Sequence, residues 1–256
     1  MKIMKIMKFF ILISTFISLF AVYFAEASIG RGYFVKLSYI ESDYVFSECP
    51  IISMADSKII TDYIEEVSPD RDESFITNAE LAELFIHITD CFGLDTCIFT
   101  AVVRQESAFL ENVSSPTGAF GLMQMTGIGI SEVNDQLGFR GASYASKEVI
   151  AYHNDVSRTC VDDNWINMWE DGFFNTNMNS IADKKQWLSF DPLRAALYGA
   201  VLLKTYLAVA KNKYPRRSLR EIYKYALMLY NGDPHEMHRY WEKIFKHSRK
   251  LGLKIY

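Results

Sequence analysis

The stretch Arg104-Gln105-Glu106-Ser107-Ala108-Phe109, followed by Ser115-Pro116-Thr117-Gly118-Ala119-Phe120-Gly121-Leu122-Met123-Gln124-Met125, constrains this chain more than any other. Ahead of it, Ile98, Val102 and Phe109 recur at the spacing of one helix face, and Glu106 falls on that face. A carboxylate on an apolar stripe is costly to ionise, so its pKa rises and its proton is retained. That is the state a general acid needs near neutral pH. A buried Glu paired with a nearby Arg or Lys would show the same spacing, so the pattern alone leaves an acid catalyst and a structural ion pair both open.

The run that follows separates the two. A Glu-Ser pair ending a helix, then Ser-x-x-Gly-Ala-x-Gly-Leu-Met-Gln, is the signature of the lytic transglycosylases. Here it reads Glu106-Ser107 and Ser115 to Gln124, and the stretch resembles the catalytic core of that family. The resemblance implies a mainly α, goose-type-lysozyme-like helical domain that cuts the glycan of bacterial cell walls. It makes Glu106 the catalytic residue and puts Ser115, Met123, Gln124, Tyr230 and Asn231 at the substrate. Gln124 would be a hydrogen-bond partner and Met123 an apolar floor, with core packing the competing reading for Met123. In the same reading Pro116 fixes a turn, while Gly118 and Gly121 let a sugar chain approach the backbone beside Glu106.

Further along, Leu229-Tyr230-Asn231-Gly232-Asp233-Pro234 stands where relatives carry Ala-Tyr-Asn-Ala-Gly-Pro, and Tyr230 is expected to reach towards Glu106. Gly199 corresponds to the family's helix glycine. Ala195 and Leu202-Leu203 depart from the Asn and Tyr-Leu usual in that helix.

The chain opens on an address. Lys2, Lys5 and Lys8 precede the apolar run Phe9 to Phe24, and Ala25-Glu26-Ala27 offers a small-x-small cleavage site. Residues 1–27 therefore read as a signal peptide and the protein as exported, periplasmic or extracellular; an uncleaved segment would instead anchor it to the membrane. Cleavage removes three Lys and one Glu and takes the net charge from −4 to −6. An acidic surface argues against nucleic acid as partner, because phosphate binding needs a basic footprint. Affinity for an anionic wall must then come from a shaped groove, in a protein expected to be monomeric.

Cys49, Cys91, Cys97 and Cys160 allow three disulfide connectivities. Cys91 and Cys97 bracket Phe92-Gly93-Leu94-Asp95, a plausible turn between helices. A short Cys91–Cys97 staple is thus the first expectation, leaving Cys49 for Cys160. Without a C-x-x-C pair, zinc is disfavoured and no metal or cofactor is expected.

Residues 28–76 read as an N-terminal extension lying on the core, with a short helix around Ser57–Glu66 and no recognisable chemistry. The domain proper spans 77–256. Thr77 and Glu80 form a capping box ahead of an apolar face (Leu81, Leu84, Phe85, Ile88, Phe92), Gly93 ends that helix and Asp95 caps the next. Asp191-Pro192 opens a buried helix, and Ser218 with Glu221 caps another. Residues 127–190 read as a long insertion carrying Tyr152, His153, Asp155, Arg158, Asp162, Asp163, Trp165, Trp169 and Trp187, either a packed unit or a source of sugar-stacking rings and assisting carboxylates. From His235 on, a basic amphipathic helix closes the domain, with Lys243, Lys246, Arg249 and Lys250 expected on a solvated face.

The resemblance implies cleavage of the β-1,4 bond between N-acetylmuramic acid and N-acetylglucosamine, with one Glu as acid and then base and a 1,6-anhydro ring as product. Two alternatives stay open. One is a hydrolysing lysozyme on the same fold, with Asp155, Asp162 or Asp163 as second carboxylate. The other is an inactive exported wall-binding protein.

Overall fold

A computed structural model describes residues 37, 39–40, 46–51, 53–73, 76–116, 118–139, 143–162, 168, 187–232 and 237–252. The expected signal peptide, Asp163, Trp165 and Trp169 lie outside these residues.

The described chain is helical. A short 3-10 turn, Met54–Asp56, leads into α1 (Ser57–Val67). There follow α2 (Asn78–Phe92), α3 (Thr96–Ser107), α4 (Gly127–Gln136), α5 (Lys147–Val161), α6 (Pro192–Lys213), α7 (Leu219–Asn231) and α8 (Met237–Lys250). Extended pairing among the described residues is limited to isolated bridges, two of them inside the 114–125 loop.

Local signals set the helix ends. Thr77 Oγ1 accepts from the Glu80 amide while the Glu80 carboxylate accepts from the Thr77 amide, and Ser218 and Glu221 repeat the device on α7. Gly93 closes α2 at φ 59, a left-handed conformation that favours glycine. Asp95 caps α3 through Oδ1 and the Ile98 amide, 2.9 Å apart. Asp191 caps α6, with Pro192 in its first turn.

Helix α6 is the axle. Ala196, Leu197, Tyr198, Gly199, Ala200 and Val201 are all fully buried, and α2, α4 and α7 pack around them. By length and composition α6 could cross a bilayer, but its apolar residues are mostly inside the protein, as expected of a core helix. Ala195, Leu202 and Leu203, which depart from the lytic transglycosylase pattern, are buried there as well. Residues read as an insertion join the main core: Ile130, Val133 and Leu137 from α4, Cys160 and Val161 from α5, and Met168 and Leu188. A smaller cluster of Leu37, Ile40, Ala145, Val149 and Ala208 sits beside it.

The disulfides differ from the expected pairing. They join Cys49 to Cys97 and Cys91 to Cys160, with Cα atoms 5.6 and 5.8 Å apart. Gly93 turns the chain sharply between α2 and α3, so the two flanking cysteines face different neighbours. Cys91 lies on the α2 face that meets α5, where His87 Nε2–H donates to the Cys160 carbonyl at 2.6 Å. Cys97 faces the strand-like residues 46–49, whose Phe46 amide donates to the Gly93 carbonyl at 2.8 Å. Closeness in sequence misled because the turn at Gly93 leaves the two cysteines beside different parts of the chain.

Candidate active site

Glu106 sits in the last turn of α3. Ile98 and Val102 are buried on its face as the spacing predicts; Phe109 is buried too, but beyond the helix end. The helix stops because Ala108 and Phe109 both take left-handed conformations, φ 51 and 67. Ser107 turns inward, its Oγ donating to the Val103 carbonyl at 3.1 Å.

A pocket of about 280 Å³ opens at this end of the helix, lined by Gln105, Glu106, Asn231, Tyr240 and Lys243. Burial pushes the Glu106 carboxyl up to about 7, opposed by a hydrogen bond that Tyr240 Oη donates to Oε1 at 2.5 Å. The acid is therefore partly protonated at neutral pH. Burial, and then the neighbouring Glu106 charge, raise the Tyr240 and Tyr230 phenols well above their ordinary value, so both stay protonated as donors. Desolvation dominates each of these shifts.

Tyr230 neighbours Glu106, whose charge raises its phenol, but it does not hydrogen-bond the carboxyl: its hydroxyl donates to the Met123 carbonyl at 3.2 Å, tying α7 to the glycine loop, and the phenol bonded to Glu106 is that of Tyr240. The cause is packing: α8 lies along α3 with Tyr240, Ile244, Phe245 and Ser248 buried, which brings residue 240 to the carboxylate. Tyr240 carries a signal after all, as a hydroxyl in helical register with Ile244 and Ser248 on the buried face of an amphipathic helix. Lys243 is exposed, as expected, and it also lines the pocket. Lys246 and Arg249 are exposed, and Lys250 pairs with Glu66 at 2.8 Å.

The loop residues shape the wall of the site. Ser115 Oγ accepts from the Ala119 amide at 3.0 Å, and the Ser115 amide donates to the Ala119 carbonyl at 2.8 Å. Gln124, itself at φ 45, donates its side-chain amide to the carbonyls of Val113 and Gly121 at 3.1 and 3.0 Å. Met123 is fully buried, and a Cβ on Gly199 would fall 2.3 Å from its Cε. Its side chain thus fills the gap that the α6 glycine leaves, with no surface for a ligand. Gly121, at φ 74, brings the loop so close to the next segment that a Cβ would meet the Leu188 carbonyl oxygen at 2.3 Å. Of the six residues singled out in the sequence, Glu106 and Asn231 line the pocket, while Ser115, Gln124 and Tyr230 brace the loop and Met123 underlies it.

Other candidates fall elsewhere. Asp155 and Asp162 are exposed on α5 and at its end, and neither lines the pocket. His87, Cys91 and Cys160 lie close enough to share a metal, as do Cys49, Asp95 and Cys97, but in each group both sulfurs are joined in a disulfide.

Fold and site together define a class: a helical domain that presents one partly protonated carboxyl, with a phenol donor, to an open polar pocket. Residues 83–146 match the family model of the Transglycosylase SLT domain, consistent with a lytic transglycosylase catalytic domain. The match begins within α2, takes in Glu106, the glycine loop and α4, and ends at the Ser146 cap of α5. No curated protein and no solved structure matches the chain.

Proposed function

We propose that this protein cleaves the β-1,4 bond between N-acetylmuramic acid and N-acetylglucosamine in peptidoglycan and leaves 1,6-anhydromuramic ends. The observation that carries the reading is the Glu106 carboxyl, half-buried, titrating at about 7 and opening onto a pocket. Protonated Glu106 donates to the bridging oxygen as the C1–O bond breaks. The substrate's 2-acetamido group stabilises the developing positive charge, one of the recognised exceptions to the two-carboxylate scheme. The muramic acid C6 hydroxyl then bonds to C1 and returns its proton to ionised Glu106, so the enzyme ends as it began. Tyr240 holds the carboxyl through both steps, and Asn231, Gln105 and Lys243 are the polar groups offered to the sugar.

The Transglycosylase SLT domain match and the two disulfides support action outside the cytoplasm, where thiols oxidise. Incubation with purified peptidoglycan, read by mass spectrometry, tests the reaction. Released fragments lighter by one water than hydrolysis products are expected, and Glu106→Gln is expected to release none while still binding glycan and folding. Reducing muramic ends would replace the proposal with a hydrolase, and turnover by Glu106→Gln would remove Glu106 from the chemistry.

A further inference from the structure

The N-terminal extension holds the Glu106 helix at both ends. At its start, the Glu48 amide donates to Asp95 Oδ2 at 2.8 Å and Cys49 is bonded to Cys97. At its end, the reversal through Ala108 and Phe109 is gripped by Tyr63, Ser68 and Arg71. Ser68 Oγ donates to the Ala108 carbonyl, and Arg71 Nε donates to the Phe109 carbonyl at 3.1 Å. Arg71 Nη1 reaches the Ile76 carbonyl at 3.0 Å and Asn78 Oδ1 at 2.9 Å, and Nη2 pairs with Glu111. The guanidinium is entirely buried, and the Phe109 ring packs edge-on to Tyr63 with centroids 5.9 Å apart.

Two consecutive non-glycine residues with positive φ persist only where their surroundings dictate them, since each costs roughly 1–2 kcal/mol. Helix ends otherwise fray, and Glu106 is one residue from this one. We infer that Arg71, braced by Glu111, is a positioning residue for Glu106: its fork fixes the left-handed turn that ends α3 and so sets the carboxyl against Tyr240. Lysine cannot replace it, because one ammonium cannot meet four acceptors in the plane of a fork. The groups facing Glu106 are Tyr240 and Lys243 from α8 and Tyr230 and Asn231 from α7. None belongs to the latch, so a change in the latch reaches Glu106 only through position.

This inference rests on Glu106 as the working acid, and its test includes a reading that needs no turnover. The variants are Arg71→Lys and the pair Arg71→Met with Glu111→Leu, which leaves no buried charge unmatched. Carbon-13 NMR titration of the glutamate carboxyls, with the Glu106 signal assigned by its loss in Glu106→Gln, gives the midpoint directly. With the latch gone, the carboxyl becomes more hydrated and loses Tyr240; relief of desolvation, the larger of the two opposed effects, moves the midpoint from about 7 towards 4.5. On peptidoglycan, kcat is expected to fall about 100-fold with KM nearly unchanged, as for a misplaced catalytic group. A folded variant with an unmoved midpoint and unchanged kcat overturns the inference. So does failure of both variants to fold, which would assign Arg71 to global stability. A wild-type protein inactive on peptidoglycan would defeat the proposed function, while the NMR midpoint would still decide the role of Arg71.

Discussion

Glu106→Gln should make the protein more stable above neutral pH while destroying its activity. In the unfolded chain the carboxyl ionises near 4.5, and in the folded protein at about 7. Between these values the native state holds the proton and the unfolded state does not, so unfolding becomes easier as pH rises through the window. Each pH unit of separation is worth about 1.4 kcal/mol, which sets a ceiling of roughly 3 kcal/mol above pH 7. The pocket admits solvent to one side of the carboxyl, so a penalty of about 1–3 kcal/mol is the working figure. Glutamine has no proton to lose, and its carbonyl oxygen can still accept from Tyr240. The assay is urea unfolding of wild type and variant from pH 4 to 8.5 with disulfides intact. The variant should match wild type at pH 4, gain steadily to pH 7 and then level off, melting roughly 2–4 °C higher for each kcal/mol gained. A difference that stays flat with pH, or a variant less stable at pH 8, would refute the claim that burial keeps this carboxyl protonated.

Two further substitutions probe the frame around the site. Gly121→Ala should cost roughly 2–4 kcal/mol, because it combines a left-handed φ with a backbone clash at Leu188, and thermal melting at wild-type temperature would contradict the close approach. His153 is fully buried, and burial lowers its pKa to about 3, far below the ordinary 6.5. The unfolded chain takes up that proton first, so stability present above pH 6.5 is lost on acidification, about 2 kcal/mol by pH 5. His153→Leu should remove this slope in denaturant titrations at pH 5 and 7; an unchanged slope would mean that other groups carry the acid response.

What could be read from the sequence tracks the range of the interactions. Caps at Thr77, Asp95, Asp191 and Ser218 involve residues three apart, and each formed where its pattern lay. Glu106 was legible for the same reason, since its apolar neighbours lie on one helix face. The partners of these groups were not. Tyr240 stands 134 positions from Glu106, and Arg71 grips a carbonyl 38 positions away and a carboxylate 40 positions away. Nothing in helical periodicity selects which face of α8 meets which face of α3. Cys91 and Cys97 show the same limit from the other side: closeness along the chain suggested a bond, and partners 48 and 69 positions away took both sulfurs.

In the proposed reaction, the distant partner is also what makes the local acid usable. Burial alone favours the neutral carboxyl, and without opposition it would hold the proton too firmly to release it to a leaving oxygen. The hydrogen bond from Tyr240 favours the ionised form and draws the balance back towards neutrality. A group that must donate in one step and accept in the next works best with its midpoint near the ambient pH, where both states are populated. The two opposing effects come from different parts of the chain: the apolar packing of α3 supplies the desolvation, and α8 supplies the phenol. Motif residues 104–125 thus specify an acid, while its poise depends on a helix that starts more than a hundred residues later.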